Sequence, residues 1–146
     1  MGRKPNLDPE GEGSPAEEPV PTAAAATSCE RAWAAASHAG IILFPFAVVP
    51  SLLIWIFGGR SSKFINHQSG QAFLAQVALD VLTAVLIGIA IMLRGIPLVG
   101  PLFFGILWII LVVLWIAAFL YGIYGAVKVS RGEEFSYPVI SDFVRS

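Results

Sequence analysis

Three runs of apolar residues, each long enough to cross a bilayer and joined by links too short to form a domain, constrain this chain more than any other feature. They cover residues 32–57, 71–93 and 98–127. A hydrocarbon core about 30 Å thick takes roughly 20 residues of helix, and isolated strands do not span because their backbone groups would go unpaired in lipid. The expectation is an all-α membrane protein with three transmembrane helices. The third run is longer than needed and is expected to tilt or project. Gly100 and Pro101 mark one end of it and Tyr121 and Tyr124 the other, where amphipathic rings favour the headgroup region. Pro45 and Pro50 interrupt the first run, each removing a backbone donor. A kink is expected there, with a broken or re-entrant segment as the sharper alternative.

Composition supports the same class. Of 146 residues, 56% are hydrophobic and 13% charged, whereas a soluble domain carries about 25% charge. Nine of the nineteen Asp, Glu, Lys and Arg residues lie within residues 1–31, which leaves the remainder poorer still. A net charge of −1 with no basic stripe argues against nucleic acid as a partner. Cys29 is the single cysteine, so no intrachain disulfide is available and no Cys/His cluster suggests a metal; the expected cofactor list is empty. Residues 1–27 are rich in Pro, Gly, Ala and Glu, lack the apolar core of a secretory signal, and read as a disordered acidic tail. Residues 28–146 form the membrane domain, with Ser28 as the candidate N-cap of its first helix. Cys29 could carry a lipid beside the membrane, a free thiol being the plainer reading.

Basic residues in short flanks set orientation. Arg60 and Lys63 lie in the link 58–70, and Lys128, Arg131 and Arg145 follow the third run, against Arg94 in the turn 94–97 and Arg31 before the first run. Three spans put the first link and the C-terminal tail on one side. The expected placement is the bacterial cytoplasmic (inner) membrane, N-terminus outside and a short C-terminal tail in the cytoplasm.

Polar residues inside the runs are the candidate functional set. At helical spacing His67 and Gln71 fall on one line, while Gln76, Asp80 and Thr83 share another face. With His38 of the first run, Gln71, Gln76, Asp80 and Thr83 form a candidate polar seam. Asp80 would sit about 13 Å beyond Gln71; an ionised carboxylate at that depth costs about 2.5–3.5 kcal/mol on insertion scales and must face protein or water. Arg60, Lys63, Phe64, His67, Gln68, Gly132, Tyr137 and Pro138 form a candidate cytoplasmic cap. In that arrangement Phe64 dips into the headgroup layer, and the tail residues Tyr137 and Phe143 lie beside the first link. Pro138 disfavours helix at Tyr137, so the third helix is expected to end between Ser130 and Gly132, with Gly132 in a left-handed cap.

The run KFINHQSGQAFLAQ, followed by two apolar runs and then GAVKVSRGEEFSYP, resembles the DUF4870 (Tic20-like) family of small bacterial membrane proteins. Phe64, Gln71, Ala72, Gln76, Gly132, Tyr137 and Pro138 stand at the family's motif positions, and Gln68 occupies its histidine column with His67 one residue earlier. The resemblance covers residues 33–143. It implies an integral membrane protein without an established reaction, whose plastid relatives belong to a protein-import channel.

Three functions are open on these residues. The leading one is a structural or accessory membrane protein, partnered by the lipid bilayer and assembling with itself or another membrane protein. The alternative is a channel or transporter subunit with a polar seam through Asp80 and His38. An intramembrane enzyme has no supporting constellation, since GxSxG, HExxH, P-loop and GxGxxG patterns are all missing, and the expectation is that the chain is not an enzyme.

Overall fold

A computed structural model describes residues 22–43, 46–97 and 99–137, and every regular element among them is helical. Helix α1 (Ser28–Ala39) tightens into a 3-10 turn (Gly40–Leu43); α2 (Val48–Leu53) widens into a π turn (Ile54–Gly58); α3 (Lys63–Leu93) and α4 (Val99–Ser130) follow. Both α3 and α4 are long and apolar enough to cross a membrane. The expected tail includes residues 22–27, but Thr22 already opens a turn that buries Ala23 and Ala26.

Local chemistry sets the helix ends. Thr27, rather than Ser28, caps α1: its hydroxyl accepts from the Glu30 amide, and the Glu30 carboxylate returns to the Thr27 amide at 2.8 Å, the reciprocal pairing of a capping box. A hydrogen bond from the Ser62 side chain, then the bonds from Thr27, hold the Glu30 carboxyl below its ordinary pKa. Ser62 caps α3 through the Ile65 amide at 3.4 Å, so that helix begins at Lys63 and absorbs most of the link expected between the first two runs. Helix α4 closes with Glu133 N–H donating to Lys128 C=O and Gly132 N–H to Val129 C=O, both at 3.0 Å. Gly132 has φ +80°, the left-handed conformation that this closing pair requires.

The first apolar run does not form one span. It is a helical hairpin, α1 rising beside α3 and α2 with its π turn descending beside it. On the rising leg Glu30 meets Ser62 and His38 meets Gln68. On the descending leg Ser51 meets Gln76, Trp55 stacks on Phe73 at 5.4 Å, and Gly58 lies against Ile65. The two legs touch where the Gly40 position abuts Ala47 and Pro50. Pro50 stands in the first turn of α2, where a missing N–H costs nothing. Phe44 and Pro45 lie outside the described residues. Gly40 and Pro50 therefore frame a reversal, the broken form of the first run, in place of a kink.

Both ends of the hairpin lie at the end of the molecule where α3 starts and α4 stops. Arg31 sits beside Gly132, and Ala23 packs with Phe135. Ala23 and Phe135 thus stand at one end of the bundle, whereas three spans would set the two ends of the membrane domain apart. The hairpin's polar contacts with α3 extend to Gln76, roughly 20 Å of helix, its tip carries Ile41 against the Gly122 position of α4, and α3 is tied to α4 by the Trp115 to Thr83 contact.

Burial is inverted relative to a soluble fold. Ser37, His38, Ser51, Ser69 and Gln71 are fully enclosed, while large side chains such as Ile91 (64% exposed), Met92 (82%) and Ile109 (65%) stand outward. Contiguous exposed apolar surface of this kind marks contact with an apolar medium or partner.

Candidate functional site

The buried polar residues gather where α1, α2, α3 and the C-terminal segment meet. His38 is placed on the inner face of α1 by helical spacing, with Ala34 and Ser37 beside it; small residues there allow the close approach that brings the imidazole to α3. Its Nε2 lies 3.2 Å from Gln68 Oε1 and its Nδ1 3.3 Å from the Tyr137 hydroxyl. Gln68 Nε2 donates to the Phe135 carbonyl at 3.3 Å, which fixes the amide so that Oε1 is left to accept. His38 must then carry its proton on Nε2, and Nδ1 accepts from Tyr137.

One turn further along α3, Gln71 repeats the arrangement. Its Oε1 accepts from the Tyr137 amide at 3.4 Å and its Nε2 lies 2.7 Å from His67 Nε2. Residues 133–137 form no regular element, with Phe135 buried and Ser136 exposed. They form a strap whose backbone is held by two glutamines and whose aromatic ring enters a pocket of Ala23, Ala26, Ala34, Phe64 and Val129. His38 meets the Phe135 ring edge-on at 5.2 Å. Burial raises the pKa of the Tyr137 phenol, with nearby Tyr121 adding to the effect, so the phenol remains a donor.

A second group ties the hairpin to α3 deeper in the molecule. Gln76 Nε2 donates to the Ser37 carbonyl at 3.3 Å and Gln76 Oε1 accepts from the Ser51 hydroxyl at 2.5 Å. One amide thus holds both legs, and it satisfies a carbonyl in the last turn of α1, where orphan acceptors occur. Thr83 takes no part; it accepts from Trp115 Nε1 at 3.0 Å.

The sequence-predicted set is therefore divided. His38, His67, Gln68, Gln71 and Tyr137 come together, and Gln76 joins the same helix–hairpin interface. Asp80 is half-buried, makes no hydrogen bond among the described residues, and lies twelve residues along α3 from the partner of His38; the His38–Asp80 seam does not form, and Gln76 has Ser51 rather than Asp80 as its partner. Phe64 is 2% exposed, a core anchor instead of a headgroup contact. Arg60 and Lys63 are exposed beside the turn, and Gly132 shapes the strap's entry. Pro138 and Phe143 lie outside the described residues. Sequence reasoning missed Ser51 and the Phe135 carbonyl as partners. Ser51 had a signal in its place just after Pro50 of an interrupted run; a backbone carbonyl has none. Among the described residues no three of His, Cys, Asp and Glu converge as metal ligands would.

Gly125 gives the pocket its room. A Cβ there would stand 2.6 Å from Phe135 Cε1 and 2.9 Å from Cζ, a rigid ring that cannot swing its tip aside. Gly125→Ala gains up to about 1 kcal/mol of helix propensity, while overpacking typically costs about 1–3 kcal/mol. The expected net result is a loosened strap, with amide exchange at Phe135 and Tyr137 faster by about threefold to tenfold. Unchanged exchange would show that the pocket has slack.

A model of the magnetosome magnetite crystal formation protein family (MamF/MmsF) matches residues 29–144, from the first turn of α1 past the strap. No curated protein and no solved structure matches the chain. The family match overturns the DUF4870 (Tic20-like) resemblance, which rested on two short motifs and the order of apolar runs; a match along most of the chain outweighs both. The chain belongs to the magnetosome magnetite crystal formation protein family.

Proposed function

We propose that this member of the magnetosome magnetite crystal formation protein family is a non-enzymatic structural component of a bacterial membrane, acting in crystal formation by assembling with itself or another membrane protein. In this reading α3 and α4 cross the bilayer, and the hairpin enters and leaves from one face. That face gathers Arg31, Arg60, Lys63, Lys128 and Arg131, against Arg94 on the other. By the positive-inside rule it is the cytoplasmic face, and in this reading Cys29 and the strap both lie there, in place of an N-terminus outside.

The observation that carries the reading is how the buried polar groups are used. Gln68, Gln71 and Gln76 each hold one chain segment to another, and large apolar side chains cover the outside of α3 and α4. Interhelical polar bonds in membranes contribute on average about 0.6 kcal/mol each, so three bridging amides add up to a defined packing. A solute path would instead need polar groups facing one another along a channel, and Asp80 and His38 do not.

The test is restoration of crystal growth in a magnetite-forming bacterium that lacks this chain. The unaltered chain and Asp80→Asn are both expected to restore crystal dimensions. Gln76→Leu, inserted at the same level, is expected to fail because it frees both legs of the hairpin. Loss of restoration with Asp80→Asn alone would favour the channel or transporter reading and sink this one.

A further inference from the structure

The strap is recognised almost entirely through features that a free peptide would also present. Gln68 takes the carbonyl of Phe135 and Gln71 the amide of Tyr137, two residues apart, so the segment is held through its main chain as a docked peptide is. The Phe135 ring fills an apolar pocket and the Tyr137 hydroxyl reaches His38. None of these contacts depends on the strap's own connection to α4. That connection is short and bent: Gly132 turns at φ +80°, with the Arg31 guanidinium close against it, and bent hinge turns are where elements exchange between copies. The groove is also at the outer surface, because Tyr121 (41% exposed) and Tyr124 (52%), which pack on Phe135, remain open on the flank of α4.

We infer that residues 133–137 are an exchangeable element, docking in the groove of a second copy of this chain with the same contacts they make in their own. The inference rests on the reading that copies assemble side by side in one bilayer. Identical insertion then puts every strap at the same level. Five extended residues from Ser130 to Phe135 reach at most roughly 17 Å, whereas packed helices stand about 8–10 Å apart. The strap is long enough to reach a neighbour's groove, and Gly132, which adopts either sign of φ at little cost, can open the hinge.

The experiment uses full-length chains carrying two different tags, co-inserted in lipid nanodiscs or vesicles, with pairing read by fluorescence transfer and by co-purification. Copy one has a disabled groove, Gln68→Ala with Gln71→Ala; copy two has a disabled strap, Phe135→Ala with Tyr137→Ala. Each alone should pair several-fold less than the unaltered chain, and the mixture should recover pairing, because the intact strap of copy one meets the intact groove of copy two. Gly132→Ala tests the same point in an otherwise unaltered chain. Its bent form is penalised and the exchanged form is not, so pairing should rise by on the order of tenfold. If unaltered chains pair but the mixture recovers nothing and Gly132→Ala pairs no better, exchange is wrong and self-assembly uses another surface. Chains that never pair at any density would overturn exchange and self-assembly together, leaving assembly with a different membrane protein. If the groove variant fails to insert, the Gly132→Ala result decides.

Discussion

Gln68→Leu is expected to release both α1 and the strap from α3 while leaving the α3–α4 pair in place. The substituted side chain has similar bulk, so the loss is of hydrogen bonds and not of volume. His38 Nε2–H and the Phe135 carbonyl each lose their partner, and the pocket is closed: Gln68 is 5% exposed and His38 fully buried. A buried group left unpaired costs about 1–3 kcal/mol, so the two together cost on the order of 3 kcal/mol, less whatever a penetrating water restores. The expected result is a fall in the unfolding temperature in detergent and loss of exchange protection at Phe135 and Tyr137, with protection in α4 unchanged. The comparison is Thr83→Val, which removes one bond from Trp115 and should cost no more than about 1 kcal/mol. If Gln68→Leu is as mild as Thr83→Val, the His38 cluster does not hold the ends of the chain.

How much of this was legible in the sequence differs from element to element. Helices α3 and α4 follow from apolar length, and their junction from Arg94, Gly95 and Pro97, which break the pattern. The end of α4 was readable from Gly132 and Pro138, since one tolerates positive φ and the other disfavours helix before it. The first run misled because hydropathy counts apolar residues without regard to direction. A span and a hairpin with equal apolar content score alike, and Pro45 and Pro50 are compatible with either. What distinguishes them is that Ser37 and Ser51, on opposite legs, meet the same Gln76, a fact about three segments at once.

The polar cluster was half visible for a similar reason. Helical phase alone put His67 beside Gln71, and the structure has them 2.7 Å apart. Phase also put Asp80 on the face of Gln76, but it could not say which neighbouring helix that face meets or how far the neighbour extends. The hairpin's polar contacts with α3 end at Gln76, so Asp80 is left without a hydrogen-bond partner among the described residues. Phe64 was misassigned because an aromatic between two basic residues and a polar run looks interfacial, and its burial depends on Ala23, Ala26 and Phe135, all distant in sequence.

The first apolar run turns back, so that in the proposed arrangement the start of α1 and the strap share one face and the 94–97 turn lies on the other. Three single-cysteine chains test it directly. The natural Cys29 is exposed at the start of α1. Gly95→Cys, in a Cys29→Ser background, places a thiol in open space, and Ser136→Cys in the same background marks the exposed side of the strap. Each is treated with a membrane-impermeant thiol reagent in sealed membrane vesicles of known orientation. Cys29 and Ser136→Cys should react from the cytoplasmic face and Gly95→Cys from the opposite face, each all-or-none. Labelling of Cys29 from the same side as Gly95→Cys, with Ser136→Cys opposed to both, would mean three spans and would contradict the hairpin.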